Sequence, residues 1–214
     1  MIIIGDVHGY YEPLLELLDK VPGDDICFVG DLIDRGPQSY EVVKLVMEKN
    51  YKCVMGNHEY MMVEASKSVQ ASQHWHNNGA RPTLMSYPGE KELREHLDWM
   101  SKLPLFIEFP EKIEYRNLVV SHSSVAAVWH MKDNPNSTFK DHVLWNRWPI
   151  DNVMKIFNVF GHTPQRDRPA IYHHYACIDR GGFARREPYG KLCALQFPEM
   201  KVYEVDVPDL TTKS

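Results

Sequence analysis

Acidic, histidine and amide side chains recur in this sequence at the ends of apolar runs. They lie in the segments GDVHG from residue 5, GDLIDRG from residue 30 and GNHE from residue 56, then in Ser121-His122 and Gly161-His162-Thr163. Asp, Asn and His supply the oxygen and nitrogen ligands that suit Mn²⁺, Fe and Zn²⁺ in proteins. The set is typical of a two-metal hydrolytic centre.

The spacing suggests how these residues could share two cations. Asp6 and His8 are two residues apart, so in an extended chain both would project to the same side and could bind one metal. Asp31 has two carboxylate oxygens and could bridge both metals. The remaining ligand candidates each follow another apolar run, and they are Asn57, His122 and His162.

Three further polar residues stand beside the candidate ligands and could act on a phosphate. His58 adjoins Asn57 and could protonate a leaving oxygen as a general acid. Asp34 could pair with His58 and orient its ring, and the fork of Arg35 suits two phosphate oxygens. Taken singly, each residue could instead be a turn, cap or surface ion-pair residue, but their combination in this order favours a metal site.

Composition and charge limit the class of protein. The 214 residues carry a net charge of −5, which argues against binding of long nucleic acids through a basic face. Four cysteines without a C-x-x-C pair lie in apolar runs, so we expect buried, reduced thiols. We expect no basic signal segment or bilayer-spanning stretch, and therefore a cytoplasmic protein without a membrane partner.

The first part of the chain has a β-α-β-α-β pattern. Apolar runs predict strands at Ile2–Ile4, Ile26–Val29 and Tyr51–Met55, and apolar spacing predicts helices at Tyr10–Lys20 and Ser39–Asn50. This order predicts parallel strands joined by right-handed crossovers. Ligands after separate parallel strands would then meet at one edge of the sheet.

The second part begins with a predominantly helical block and then turns to strands. We expect a helical insertion at about 59–103 within a single domain spanning 1–214, including a helix at Glu90–Ser101. A loop-rich section is predicted at Lys132–Lys140. The predicted strands in this part are Leu105–Phe109, Leu118–Val120, Val159–Phe160, Ala176–Ile178, Leu192–Phe197 and Val202–Val205. The pattern predicts an α/β fold of two packed sheets with helices outside.

Through these motifs the chain resembles the phosphoprotein phosphatase family of metallophosphoesterases, most of all the bacterial and phage lambda-type serine/threonine phosphatases. Two shorter segments also resemble these phosphatases. They are His74-Trp75 with Asn78-Gly79, and Val143-Leu144-Trp145-Asn146-Arg147. The resemblance implies a two-sheet sandwich flanked by helices. It also implies two divalent cations, with Mn²⁺ expected first and Fe or Zn²⁺ as alternatives, and direct attack of a metal-bridging hydroxide on phosphorus.

The resemblance also implies a role for each motif residue. Asp31 would be shared between the two metals, Arg35 and Arg147 would bind phosphate, and His58 would be the general acid oriented by Asp34. The ligands implied for the first metal are Asp6, His8 and Asp31, and those for the second are Asp31, Asn57, His122 and His162.

Three positions depart from the pattern of the family. Met55 stands where many relatives have arginine, and Ser123 and Ser124 follow His122 where many have glycine. Asp179-Arg180-Gly181 replaces an Asp-Thr-Gly sequence, so Arg180 could contact substrate, although a solvated loop arginine is the preferred interpretation.

The leading functional hypothesis is a serine/threonine protein phosphatase acting on phosphoproteins or phosphopeptides, with phosphotyrosine and small aryl phosphates as further substrates. The alternative is a symmetrical diadenosine tetraphosphate hydrolase or a related phosphodiesterase. Glu59 after the Asn-His pair favours the phosphatase, because the tetraphosphatases often have aspartate there. A phosphate-binding module without catalysis is a third hypothesis, disfavoured because no ligand and no acid are missing.

Overall fold

The computed structural model describes residues 1–147, 150–153, 155–184 and 187–208. Its strands form two mixed five-stranded sheets. The first sheet has the order β10-β9-β1-β2-β3. Its strands are β1 (Ile2–Ile4), β2 (Ile26–Phe28), β3 (Lys52–Cys53), β9 (Lys191–Gln196) and β10 (Lys201–Asp206).

Strands β1, β2 and β3 of the first sheet run parallel, as the sequence pattern predicts. Strand β1 pairs with β2 with Ile3 opposite Cys27, and β2 pairs with β3 with Phe28 opposite Cys53. Strand β9 returns from the far end of the chain and lies antiparallel to β1. The segments that follow β1, β2 and β3 therefore leave the sheet at the same edge.

The second sheet has the order β4-β5-β6-β8-β7. Its strands are β4 (Phe106–Ile113), β5 (Arg116–Ser121), β6 (Ile156–Phe160), β7 (Ala170–Ile171) and β8 (Tyr175–Cys177). Strands β5, β6 and β8 are parallel neighbours. His122, His162 and Asp179 follow these three strands and so emerge at one edge.

Helices cover the outer faces of the two sheets. Helices α1 (Tyr11–Lys20) and α2 (Ser39–Glu48) connect the parallel strands of the first sheet. Four more helices occupy the region predicted to be helical, and α7 lies in the second half. These are α3 (Asn57–Ala65), α4 (Val69–Asn77), α5 (Ala80–Ser86), α6 (Glu90–Met100) and α7 (Ser137–Trp145), with short 3-10 turns at Ala126–Met131 and Gly182–Ala184.

Buried apolar residues divide into layers that match this architecture. One cluster joins the inner faces of both sheets, with Ile3 and Cys27 from the first and Leu118 and Phe157 from the second. Another packs the opposite face of the first sheet against the helices, and a third packs β5 and β6 against α7. The predicted α/β sandwich with helices on both outer faces is confirmed.

Helix α7 corrects the prediction of a loop over Lys132–Lys140. The helix begins at Ser137, because the side chain of Asn136 accepts the Phe139 amide at 3.0 Å and caps the first turn. Phe139 and Val143 are fully buried in the third apolar cluster. The Asn-Pro-Asn-Ser sequence therefore marks the start of a helix as well as a turn.

The four cysteines are buried free thiols, in agreement with the sequence prediction. Burial raises the pKa of Cys27 and Cys177 well above the usual thiol range, so neither is poised for reaction. Among the described residues, no helix has the length and apolar composition needed to cross a bilayer.

Candidate metal centre

The polar residues at the strand ends are gathered by a tightly turned backbone. His8 and Asp31 both have left-handed backbone angles, with φ of 51° and 50°. The amides of Val7 and His8 donate to the Asp31 carbonyl at 3.0 and 2.8 Å, so the segments after β1 and β2 are held together. The expectation that Asp6 and His8 lie on an extended strand is wrong, because β1 ends at Ile4 and the chain turns at His8.

Asp31 lies between two groups of candidate ligands. Its Oδ2 atom is 3.6 Å from His8 Nε2, while its Oδ1 atom is 3.5 Å from His122 Nε2. The possible ligand atoms of His8, Asp31 and His58 lie within 4.8 Å of one another, and those of Asp31, His122 and His162 do as well. The two oxygens of one buried carboxylate therefore face two separate sites, as the sequence predicts for a bridging ligand.

The second group brings together lone pairs that a cation would stabilise. His122 Nδ1 donates to the Val29 carbonyl at 2.9 Å, which leaves Nε2 as an acceptor 2.7 Å from Asn57 Oδ1. Two acceptors at this distance repel unless a proton or cation lies between them. Burial lowers the pKa of His122, and burial followed by the charge of His122 lowers the pKa of His162 to about 3. Neutral imidazoles facing an amide oxygen therefore fit a metal ion.

His162 contributes a further observation in favour of a ligand. Its Nδ1 atom is 2.9 Å from Asn57 Oδ1 and 3.1 Å from His122 Nε2, so Nδ1 is the atom that faces the other two ligand candidates. Imidazole nitrogens and an amide oxygen that converge in this way suit a divalent metal. The structure therefore brings Asn57, His122 and His162 together around Asp31, as predicted.

His8 has the same arrangement as His122 on the other side of Asp31. Its Nδ1 atom donates to the Ile33 carbonyl at 2.9 Å, which directs the lone pair of Nε2 into the site. Burial, followed by the charge of Arg35, holds the pKa of His8 well below its usual value. A histidine that donates one nitrogen to a backbone carbonyl and presents the other is typical of a metal ligand.

Asp6 belongs to neither group of three. Its carboxylate accepts the His162 amide at 3.1 and 3.2 Å and lines the same cavity as Asp31. Burial, followed by the charge of Asp179, raises the pKa of Asp6, and burial raises that of Asp179 to about 6. Asp179 was not a predicted site residue. A bound cation would stabilise the ionised form of these two buried carboxyl groups, so Asp6 fits a position at the edge of the centre.

His58 and Asp34 form the predicted pair. His58 Nδ1 donates to Asp34 Oδ2 at 2.6 Å, and both side chains are buried. Burial opposes the charged imidazolium, but Asp31 and the bond to Asp34 outweigh it, so the pKa of His58 lies above its usual value. The ring is therefore oriented and favoured in the protonated form that a general acid needs.

Two residues that sequence reasoning missed hold Asp34 in place. Trp75 Nε1 donates to Asp34 Oδ2 at 2.8 Å, and the Thr83 hydroxyl donates to Oδ1 at 2.7 Å. They come from α4 and α5. The resemblance of His74-Trp75 to the phosphatase family could have pointed to Trp75, but no local pattern distinguished Thr83.

Glu59 supports the loop that carries Asp31. Its buried carboxylate accepts the amides of Asp31 and Leu32 at 2.8 Å each, and that of Gly56 at 2.9 Å. The sequence predicts that Glu59 distinguishes protein phosphatases from tetraphosphatases. Because its oxygens are directed at backbone amides, its identity bears on the geometry of the loops rather than on contact with substrate.

Arg35 and Arg147 line one cavity of about 200 Å³ together with Asp6, Asp31, Asn57 and His162. Arg35 donates to His8 Nε2 at 2.8 Å, and its other terminal nitrogen lies 3.0 Å from His58 Nε2. Its guanidinium lies 4.0 Å from the centroid of the Phe183 ring. Arg147 is exposed and donates to the His162 carbonyl at 3.0 Å. Two guanidinium groups thus lie beside the candidate ligands.

The departures from the motif pattern have structural explanations in two cases. Arg180 is not a solvated loop arginine: it is 2% exposed, pairs with Glu204 at 2.6 Å and donates to the carbonyls of Gln165 and Arg166. Ser123 is fully buried and its hydroxyl donates to the His142 carbonyl at 2.8 Å. It therefore fastens the loop after His122 to α7.

Comparisons with known proteins agree with this geometry. The calcineurin-like phosphoesterase family model matches residues 1–190, and the chain belongs to that family. A solved structure described as a candidate diadenosine tetraphosphatase superposes with a TM-score of 0.69 at 22% identity, covering 96% of this chain and 92% of the other, which shows the shared fold. Members of the family normally bind two divalent metals, and the His and Asp residues here could hold them.

Curated relatives include enzymes with different substrates in their names. An asymmetrical bis(5'-nucleosyl)-tetraphosphatase of Halalkalibacterium halodurans is 31% identical over 95% of this chain and 92% of its own length. Serine/threonine-protein phosphatase 1 of Salmonella typhimurium is 30% identical over 84% of this chain and 85% of its own. A symmetrical tetraphosphatase of Escherichia coli is 32% identical, but the match covers 61% of this chain and less than half, 45%, of the relative.

Proposed function

We propose that this protein is a two-metal phosphohydrolase that cleaves dinucleoside polyphosphates such as diadenosine tetraphosphate. The observation that carries the hydrolase assignment is the position of Asp31, whose two oxygens face His8 and His122 in a cavity that Arg35 and Arg147 also line. The substrate is supported by the tetraphosphatase of H. halodurans, which matches nearly the whole of both chains.

We assign one metal to Asp6, His8 and Asp31. We assign the other to the ligands Asp31, Asn57, His122 and His162. Bound divalent cations would polarise phosphoryl oxygens and lower the pKa of a water molecule. The nitrogen and oxygen donors suit Mn²⁺, with Fe and Zn²⁺ as alternatives, and buried free thiols are consistent with a reducing, cytoplasmic setting.

The chain's own residues would then act on the phosphate. Arg35 and Arg147 would bind nonbridging phosphate oxygens, because a guanidinium matches them with paired donors. Hydrolysis forms a bond between a water oxygen and phosphorus and breaks the bond to the leaving oxygen. His58, held by Asp34, would give its Nε2 proton to that oxygen.

A serine/threonine protein phosphatase is the second candidate, and a specific feature favours it. The serine or threonine alkoxide is a poor leaving group that needs a proton, and His58 has an elevated pKa and a fixed orientation. The Salmonella relative, matched over most of both chains, supports the same substrate class. A nucleotide leaving group depends less on protonation at neutral pH.

One assay separates the two candidates. Metal-stripped protein would be supplied with Mn²⁺ and offered diadenosine tetraphosphate, a phosphothreonine peptide and an aryl phosphate in parallel. The proposal expects the dinucleotide to have the highest kcat/KM, with ATP and AMP as products for asymmetrical cleavage and two ADP for symmetrical cleavage. Faster phosphate release from the peptide would instead assign the chain to the phosphatase class.

A further inference from the structure

Trp145 is an exposed aromatic residue at the edge of the phosphate cavity. It is the last residue of α7, it is 37% exposed, and it lines the same cavity as Asn57 and His162. Its ring lies 6.2 Å from the ring of His162, nearly perpendicular to it. Phe139, Val143 and Leu144 of the same helix are fully buried, so α7 places its tryptophan outside the core.

The ring is carried on a firmly anchored helix end. The amide and hydroxyl of Ser123, next to His122, donate to the carbonyls of Val143 and His142 at 2.8 Å each. The helix end is thereby fastened to the loop of a candidate metal ligand. A side chain presented in this way loses little freedom on binding, which favours a role in recognition.

The size of the cavity indicates which part of a substrate would meet this ring. A volume of about 200 Å³ accommodates a phosphate and the start of its substituent. Ligand pockets that enclose a whole drug-sized molecule are larger, about 300 Å³ or more. A nucleoside attached to a phosphate beside His162 would therefore extend past the cavity to its edge, where Trp145 lies.

We propose that Trp145 is the base-stacking residue of a nucleotide subsite, placing one nucleobase of a dinucleoside polyphosphate beside the candidate metal centre. This role rests on the proposed function and identifies Trp145 as the residue that would contact the nucleoside. Aromatic stacking accepts any base because each base has a π face. The subsite would therefore favour nucleotides over phosphates that lack a nucleobase, and it would select little among the different bases.

The test compares Trp145→Ala and Trp145→Phe with the wild type on two anhydrides. Diadenosine tetraphosphate carries bases, and tripolyphosphate has the same anhydride bond without them. Trp145→Ala is expected to raise KM for the dinucleotide about tenfold, the size of one lost stacking contact, and to raise KM for tripolyphosphate much less. Trp145→Phe should retain most of the affinity. Tyr172→Ala is the control, since Tyr172 is 57% exposed and lines a separate cavity.

A binding measurement separates this inference from the proposed function. ADP would be titrated into each Mn²⁺-loaded protein by calorimetry, with Trp145→Ala expected to bind about tenfold more weakly. Equal ADP affinity in Trp145→Ala and wild type, or no ADP binding by wild type, would overturn the subsite whatever the chain hydrolyses. If Trp145→Ala raises KM only for the aryl phosphate, the base-stacking role is also overturned, because Trp145 would then contact phosphotyrosine-like substrates. If the protein does not cleave the dinucleotide but its ADP affinity still depends on Trp145, only the proposed function is rejected.

Discussion

The carboxylate of Glu59 accepts the backbone amide of Asp31 at 2.8 Å. This contact joins the first turn of α3 to the loop after β2, and the same carboxylate also accepts the amides of Leu32 and Gly56. A buried acid that satisfies several amides fixes the backbone from which Asp31 projects. The shared ligand candidate is thus positioned by a residue that does not itself line the cavity.

Replacing Glu59 with glutamine should weaken both stability and metal binding. The variant Glu59→Gln directs a donor group at amides that need acceptors, which we expect to cost about 1–3 kcal/mol of unfolding free energy. Thermal unfolding with and without Mn²⁺ would measure it, and Glu64→Gln is the matched control, since Glu64 is half-buried on α3 and forms its ion pair with the exposed Lys67. A melting temperature equal to that of the control would contradict the positioning role.

Gly161 permits the close approach of Asp6 to the His162 loop. A Cβ atom at Gly161 would stand 1.9 Å from Asp6 Oδ1, far inside van der Waals contact. Gly161→Ala should therefore displace Asp6 and lower Mn²⁺ affinity, measured by titration calorimetry. Gly89→Ala is the control, because its Cβ would meet only the flexible Glu92 carboxylate at 3.0 Å. Unchanged Mn²⁺ affinity in Gly161→Ala would remove Asp6 from the centre.

His58 should matter in proportion to the need of the leaving group for a proton. We expect His58→Asn to lower kcat by about 10²-fold or more on a phosphothreonine peptide, the usual contribution of a general acid. The loss on an aryl phosphate should be much smaller, because that group leaves without protonation. Equal losses on both substrates would show that His58 acts in another way.

Phe183 supports the guanidinium of Arg35, and its aromatic face should contribute to phosphate binding. Phe183→Leu keeps an apolar side chain but removes the cation–π contact seen at 4.0 Å. The expected result is a rise in KM of about two- to fivefold, from a contact worth about 0.5–1 kcal/mol, with kcat and metal content unchanged. A fall in metal content instead would make the residue part of the scaffold of His8, whose ring it also contacts.

The sequence was informative where a polar residue directly follows an apolar run. Asp31, Asn57, His122 and His162 could be named because each follows an apolar run that became a strand or a strand-edge segment, and parallel strands end at one edge. Trp75 and Thr83 reach Asp34 across 41 and 49 residues. Their roles depend on how α4 and α5 fold back over the sheet, which periodicity does not encode.

The burial of Arg180 could not be predicted from the sequence around it. A charged residue in a glycine-rich segment is usually solvated, yet this one is buried because Glu204 on β10 and three backbone carbonyls satisfy its guanidinium. The partner lies on a neighbouring element that the local sequence does not reveal. Likewise, the left-handed turn at His8 results from amides that bond to the loop after β2, and the segment alone looks extended.

The most direct test of this account is the metal stoichiometry of Asp31→Asn. Metal-free wild type, titrated with Mn²⁺ and measured by elemental analysis after gel filtration, should bind two ions per chain. His162→Ala should retain about one, whereas Asp31→Asn should retain less than one because the shared oxygens serve both sites. Asp25→Asn, an exposed partner of Lys52, is the control. Two tightly bound ions in Asp31→Asn would contradict the central role of Asp31.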